Sequence, residues 1–447
     1  MSLRWLQPEF LWTSQGDMVT DMALAINREG HITDIVPAPT LDDSTQIRYL
    51  PQQIVLPGFV NAHSHAFQRA MRGATEHLQP GHEADDFWSW REQMYQSALT
   101  LTPDALYTIA TDLYHEMLAA GYTTVGEFHY LHHSTDGSLY HPPEHLAQVM
   151  IQAALDAGIR IVLLLVLYQT GGIGQPPSPR QHRFIVPDLA SYLSMVEALM
   201  HTHSSNPKVH IGLAPHSIRA VPMATLAQLA DWNRSHGLPV HMHVCEQRSE
   251  VEQAQTRLGL PPIEAIAQAG LLDDHFVGIH ATHLAPDDPR RLSDSGARVC
   301  ACPTTEANLG DGFLPAHTLM SAGIPIAIGS DSHIVVNPME ELRMIENNER
   351  LQRQQRNVLA GLMQPPSQPG RIAPGLLQSG TQHGADALGL ATGRMEVGAM
   401  ADLVALDRND PTLKGVAVSH LPEAIVFSAG PRCVSEVWVA GQTCYAR

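Results

Sequence analysis

Lysine is almost missing from this sequence of 447 residues: only Lys208 and Lys414 occur among 27 basic residues. Chemistry that needs a lysine must therefore use one of those two. The basic residues are outnumbered by 45 acidic ones, and the formal charge is −18. That balance excludes nucleic acid and anionic membrane surfaces as partners, since both attract basic faces. It does not exclude a small anionic substrate, which needs only a local pair of arginines. Cysteine is scarce too. The five present are an odd number, and Cys300 and Cys302 alternate within "RVCACP", so no disulfide framework is expected. Long apolar runs are lacking: "IVLLLVLY" (161–168) has the length of a buried strand and falls far short of the roughly 18 residues of a membrane span. The opening "MSLRWLQPEFLW" has no basic region followed by an apolar core and a cleavage site, and a soluble, cytoplasmic protein is expected. No internal repeat is visible, and no low-complexity block exceeds "QPPSQPG" (364–370).

What the sequence does have is an alternation. From about residue 55 to 355, eight short β-type runs are separated by helical stretches: "IVLPGFVNA", "TTVGEF", "IRIVLLLVLY", "KVHIGLAP", "LPVHMHV", "HFVGIHA", "RVCACP" and "IPIAIGSD". The helix over 102–121 carries readable signals, with Thr102 as N-cap, Pro103 at the first position and Gly121 just past the end. Eight strands separated by helices fit a parallel (β/α)8 barrel better than an open sheet. Polar residues fall at or just after successive strand ends: His63 and His65, Glu127 and His129, Tyr168, His216, His243 and Glu246, His280 and His283, Thr304, and Asp331. In a barrel those ends share one rim, where barrel enzymes place their chemistry. Residues 1–54 and 394–447 are turn-punctuated, as in "GHITDIV" and "SEVWVAGQTCYA", and predict a small composite β-sandwich domain built from both chain ends. The barrel is then expected over 55–393.

Three His-x-His pairs occur, and with 26 histidines about one or two are expected by chance, so the motif alone means little. His201 and His203 end a helical pattern just before a turn and read as solvated. His63 with His65, and His241 with His243, each end an apolar run. Side chains at i and i+2 of a strand share a face, so two imidazoles can converge on one point beyond its end. Two histidines after the first strand, one after the fifth and an aspartate after the eighth supply four N/O donors, a set that suits Zn²⁺ or Fe²⁺. Of the strand-five pair, His243 is one turn from Glu246 and is preferred as ligand; His241 reads as packed behind it. His280 is preferred to His283 because it lies nearer the strand end.

"PGFVNAHSH", the His-x-x-Glu of strand five, the histidine of strand six, the "SD" of strand eight and "GxxADLVALD" (398–407) together resemble the deaminase branch of the amidohydrolase superfamily over nearly the whole chain. The resemblance implies a metal held by His63, His65, His243 and Asp331, with Glu246, His280 and Asp331 catalytic. Binuclear members of that superfamily bridge two ions with a carboxylated lysine after strand three or four. Lys208 lies at the start of strand four and Lys414 outside the barrel, so one divalent ion per chain is expected, Zn²⁺ before Fe²⁺. In the implied chemistry Asp331 accepts a proton from water, His280 orients the resulting hydroxide, and Glu246 carries protons to the departing nitrogen.

The rim also suggests a substrate. Arg219 follows strand four in "APHSIRA", Arg91 lies in "DFWSWREQMY", Gln68 and Arg69 follow the first histidine pair, and Tyr130 and His216 add donors. Two guanidinium forks near one site suit a substrate with two carboxylates. "NAHSHAFQRAMRG", "FWSWREQMY", "GEFHYLHH", "APHSIRAV" and "HMHVCEQ" resemble those members of the branch that hydrolyse the formimino derivative of glutamate during histidine degradation. That resemblance implies glutamate binding by Gln68, Arg91, Tyr130, His216 and Arg219, and formation of N-formyl-L-glutamate and ammonia. A purine-type aminohydrolase on the same scaffold is the alternative. The partners expected are a small dicarboxylate amidine and water, with a homodimer left open.

Overall fold

The computed structural model describes residues 3–40, 46–78, 83–362 and 370–447. Most of the block at 364–370 lies outside the described residues. Eight strands pair in chain order as one all-parallel sheet: β1 (Phe59–Ser64), β2 (Tyr122–His129), β3 (Arg160–Leu167), β4 (Val209–Pro215), β5 (Val240–Val244), β6 (Phe276–His280), β7 (Arg298–Ala301) and β8 (Ile326–Ile328). Every residue of β2 and β3 is buried, as strands covered on both faces must be. The helices between them follow their sequence signals. In Pro103–Ala119 the Thr102 hydroxyl accepts from the Ala105 N–H at 3.2 Å, and Gly121 takes a φ of 97° just beyond the end.

The barrel closes through a parallel bridge between Ser64 and Asp331. The Asp331 N–H donates to the His63 carbonyl at 3.0 Å, and the His65 N–H to the Asp331 carbonyl at 3.1 Å. This seam is tight because Gly329 has no side chain: a Cβ there would stand 2.7 Å from the His63 Cβ. Three candidate ligands thus sit on the closing hydrogen bonds of the barrel.

The chain ends form a second, eight-stranded sheet. Its path runs Gln442–Ala446, Val434–Val439, Leu403–Asp407, Ile47–Pro57, Arg4–Trp12, Met22–Ile26, Ile32–Pro37, with Met18–Val19 also paired to Arg4–Trp12. The two ends meet where Leu403–Asp407 pairs antiparallel with Ile47–Pro57, over a core that includes Leu6, Leu24, Val55, Leu403 and Trp438. The run "IVLPGFVNA", expected as one strand, is two. The sheet of the chain ends extends to Pro57, and the chain crosses to the barrel at Gly58, whose missing side chain leaves room for Thr123.

Candidate active site

The candidate site is built from strand ends. Along β1, His63 and His65 face one way and Ser64 the other. Ser64 donates to Glu127 at 2.6 Å, and the Ala66 N–H donates to the same carboxylate at 2.8 Å. Burial pushes the Glu127 carboxyl up to about 7, against the pull of those hydrogen bonds. Glu127 therefore braces the strand end from behind. Two ligand candidates have their tautomers set by carbonyls: His65 Nδ1 donates to Phe128 O (3.0 Å) and His243 Nδ1 to His216 O (3.2 Å). Each Nε2 then keeps its lone pair toward the centre.

His63 Nε2 lies 3.3 Å and His65 Nε2 3.2 Å from Asp331 Oδ1, and His65 Nε2 lies 3.3 Å from His243 Nε2. One donor atom from each of these four buried residues lies within 4.8 Å of the others. His63 is fully buried, yet neither ring nitrogen has a hydrogen-bond partner, which is rare for buried polar atoms. Burial lowers the His63 ring to about 3, so it is a neutral donor at pH 7. For Asp331, burial alone would raise the pKa; contact with His63 and His65 outweighs it and holds the carboxyl well below the usual range. Three imidazoles and one carboxylate, with the nitrogens of one ring left without a hydrogen-bond partner, are what a divalent cation requires.

Beside this set stands His280. Its Nδ1 faces Glu306 Oε1 at 3.3 Å, and its Nε2 lies 3.5 Å from Glu246 Oε1 and 3.8 Å from Asp331 Oδ2. Burial would lower its pKa, but Glu246, Glu306 and Asp331 together raise it well above the ordinary value. Backbone strain collects at the same rim. Cys245, His280, Ala281, Asp331 and His333 are five of the ten non-glycine residues with positive φ among those described.

The proposed substrate residues converge as well. Gln68, Arg91, Tyr130, His216 and Arg219 line one cleft of about 610 Å³ together with His65, His243, Glu246 and Asp331. Gln68 Nε2 donates to the Tyr130 hydroxyl at 2.9 Å, and the guanidinium of Arg91 lies 4.5 Å from the Trp88 ring. Arg219 Nη2 donates to Glu246 Oε2 at 3.1 Å, while the Nε atoms of Arg91 and Arg219 are buried without a partner. Other candidates fall elsewhere. Arg69 pairs with Glu116 (2.6 Å), and His241 is held by Ala387 O (2.8 Å). His283 is held by Asp311 O (2.7 Å). Of the third His-x-His pair, His201 is exposed and His203 bonds Gln148 (2.7 Å).

Sequence reading did not find Glu306, Glu250 and Asp311. Glu306 reads as an ordinary first-turn acid of Pro303–Leu309. Glu250 is likewise a first-turn acid, of Arg248–Leu258, yet it is fully buried and accepts the N–H groups of Cys245 and Glu246, both at 3.3 Å. Burial pushes Asp311 up to about 9, with further help from Glu246. Only its place beside Glu246 and His280 distinguishes it.

A parallel barrel that gathers these donors on its C-terminal rim belongs to the hydrolases built around a metal-binding pocket. The chain is a member of the amidohydrolase family, whose profile matches residues 54–444. It is 40% identical to a formimidoylglutamate deiminase of Pseudomonas aeruginosa over 93% of this chain and 89% of that one. It is 27% identical to a 5-methylthioadenosine/S-adenosylhomocysteine deaminase of Syntrophobacter fumaroxidans, covering 82% and 76%. Among solved structures, an amidohydrolase from Brucella melitensis superposes with a TM-score of 0.87 at 33% identity, covering 99% and 96%. An adenosine deaminase from Xanthomonas campestris with bound zinc gives 0.81 at 23% identity, covering 98% and 92%, and shares the fold.

Proposed function

We propose that this chain hydrolyses N-formimidoyl-L-glutamate, with one water, to N-formyl-L-glutamate and ammonia, a step of histidine degradation. The observation that carries the reading is the placing of two guanidinium groups, the half-buried Arg91 and the buried Arg219, in the same cleft as the imidazole and carboxylate cluster. A nucleobase has no carboxylates for two such forks. The name of the Pseudomonas relative agrees with the reading.

His63, His65, His243 and Asp331 would hold one divalent ion, zinc before iron on this donor set. Such an ion supplies Lewis acidity, lowering the pKa of water from 15.7 to about 7. The chain's own residues do the rest. Asp331 takes a proton from the attacking water. His280, set between Glu246 and Glu306, orients the nucleophile. Glu246 delivers the proton that lets the formimino nitrogen leave as ammonia. Gln68, Arg91, Tyr130, His216 and Arg219 hold the glutamate portion. We assign the chemistry to 55–393 and the supporting sheet to 1–54 and 394–447. No helix among the described residues is long and apolar enough to cross a membrane, and all five cysteines are free, which suits the cytoplasm.

The test is ammonia release by the zinc-loaded protein from formimidoylglutamate, guanine and adenosine in parallel. Turnover of the first alone is expected; comparable or faster turnover of a purine would overturn the reading.

A further inference from the structure

Arg219 has two partners that compete with a substrate. Its Nη2 donates to Glu246 Oε2 at 3.1 Å, and its Nε lies 3.9 Å from Glu250 Oε2, too far for a hydrogen bond. Arg219 is 7% exposed, Glu246 5% and Glu250 not at all, so water screens none of these charges well. The Arg219 Nε remains a buried donor without an acceptor, on a residue that lines the cleft. Glu246 lies between Arg219 at one oxygen and His280, whose Nε2 is 3.5 Å from the other.

A carboxylate that docks on the guanidinium fork uses two N–H groups of one edge, and Nη2 belongs to both edges of the fork. An arriving carboxylate must therefore share or take the Nη2 that holds Glu246, and it sets a second anion beside that side chain. Both effects loosen Glu246 from Arg219. We propose that the free enzyme restrains Glu246 in an ion pair with Arg219, that the substrate's carboxylate displaces it and so frees it for proton transfer, and that Glu250 is a positioning residue keeping the guanidinium in place during the exchange. Glu250 suits that part because it is fully buried and its two oxygens accept the Cys245 and Glu246 amides, which hold it in place. The inference rests on the proposed deiminase reading. It adds that the carboxylate raises kcat as well as affinity.

The test uses the zinc-loaded full chain with formimidoylglutamate and with N-formimidoyl-propylamine, which lacks both carboxylates. Expected are a kcat at least tenfold lower on the amine, partial recovery of that kcat when millimolar acetate is added, and inhibition by acetate with the full substrate. Glu250→Gln should lower kcat on formimidoylglutamate and shrink both the kcat ratio between the two substrates and the acetate recovery, at unchanged metal content. A merely structural role would leave that ratio where it was. Equal kcat on both substrates, with the whole difference in KM, or an amine reaction that acetate never stimulates, overturns the exchange. No turnover of formimidoylglutamate at all would instead overturn the deiminase reading on which it stands.

Discussion

At the scale of single residues, His243 and Glu246 are three positions apart and are assigned opposite duties. His243→Ala removes an imidazole from the ligand set, so metal content and activity should fall together, measured by elemental analysis alongside ammonia release. Glu246→Gln removes a proton carrier, so metal should stay near one ion per chain while kcat drops about 100- to 10,000-fold. Metal loss in the Glu246 variant would reverse the assignment. Arg219→Met tests the substrate. It removes charge-assisted hydrogen bonds worth about 1.5–3 kcal/mol, and kcat/KM on formimidoylglutamate should fall at least tenfold with metal retained. Arg219→Lys should recover only part of this, because an ammonium cannot reproduce the two-pronged geometry.

At the scale of elements, the seam between β8 and β1 joins folding to chemistry. Gly329→Ala drives a methyl group against His63 and the carbonyl of the same residue. It should cost about 1–3 kcal/mol in urea unfolding and lower metal content as well, because the closing hydrogen bonds run through three candidate ligands, His63, His65 and Asp331. The segment after β2 makes a pH-dependent contribution. Burial, with help from His133, holds the His132 ring down to about 3, and it bonds the Val166 carbonyl at 2.9 Å. The folded state keeps this ring neutral while the unfolded chain protonates it below 6.5. The stability it confers is therefore complete above pH 6.5 and is lost as pH falls toward 3. His132→Gln keeps a donor that does not titrate. Below pH 6 its stability should decline less steeply than the parent's, by about 1.4 kcal/mol per pH unit.

Across the whole molecule, Asp402 shows why "ADLVALD" accompanies a barrel. It receives Arg160 through two charge-assisted hydrogen bonds of 2.7 and 3.0 Å, and also the Thr392 hydroxyl and the Ala440 N–H. Arg160 starts β3, and Ala440 lies between the last two strands of the other sheet. This buried pair locks the barrel to the sheet of the chain ends. Asp402→Ala leaves the guanidinium buried without its counter-charge and should cost about 3–5 kcal/mol, seen as an earlier urea midpoint with the active-site metal retained below it.

Much of this was legible along the chain. Strand ends that pass from β-branched runs to histidine and acid are local patterns, and a strand's two-residue period alone puts His63 beside His65. Eight such runs separated by helices fitted a closed parallel barrel better than an open sheet, and the polar residues at the ends of successive runs favoured one shared rim. Local pattern could not reveal what depends on contacts distant in sequence. Nothing local sets Glu250 and Glu306 apart from other first-turn acids; only packing buries them near Arg219 and His280. Arg69 follows the ligand pair as closely as Gln68 does, yet the fold turns it to Glu116 and away from the cleft. The sequence by itself determined which residue types stand at the rim, since hydrophobic periodicity dictates where strands end. Only the tertiary structure decided which of them share a charge, because Coulomb partners are selected by distance in space and by exclusion of water.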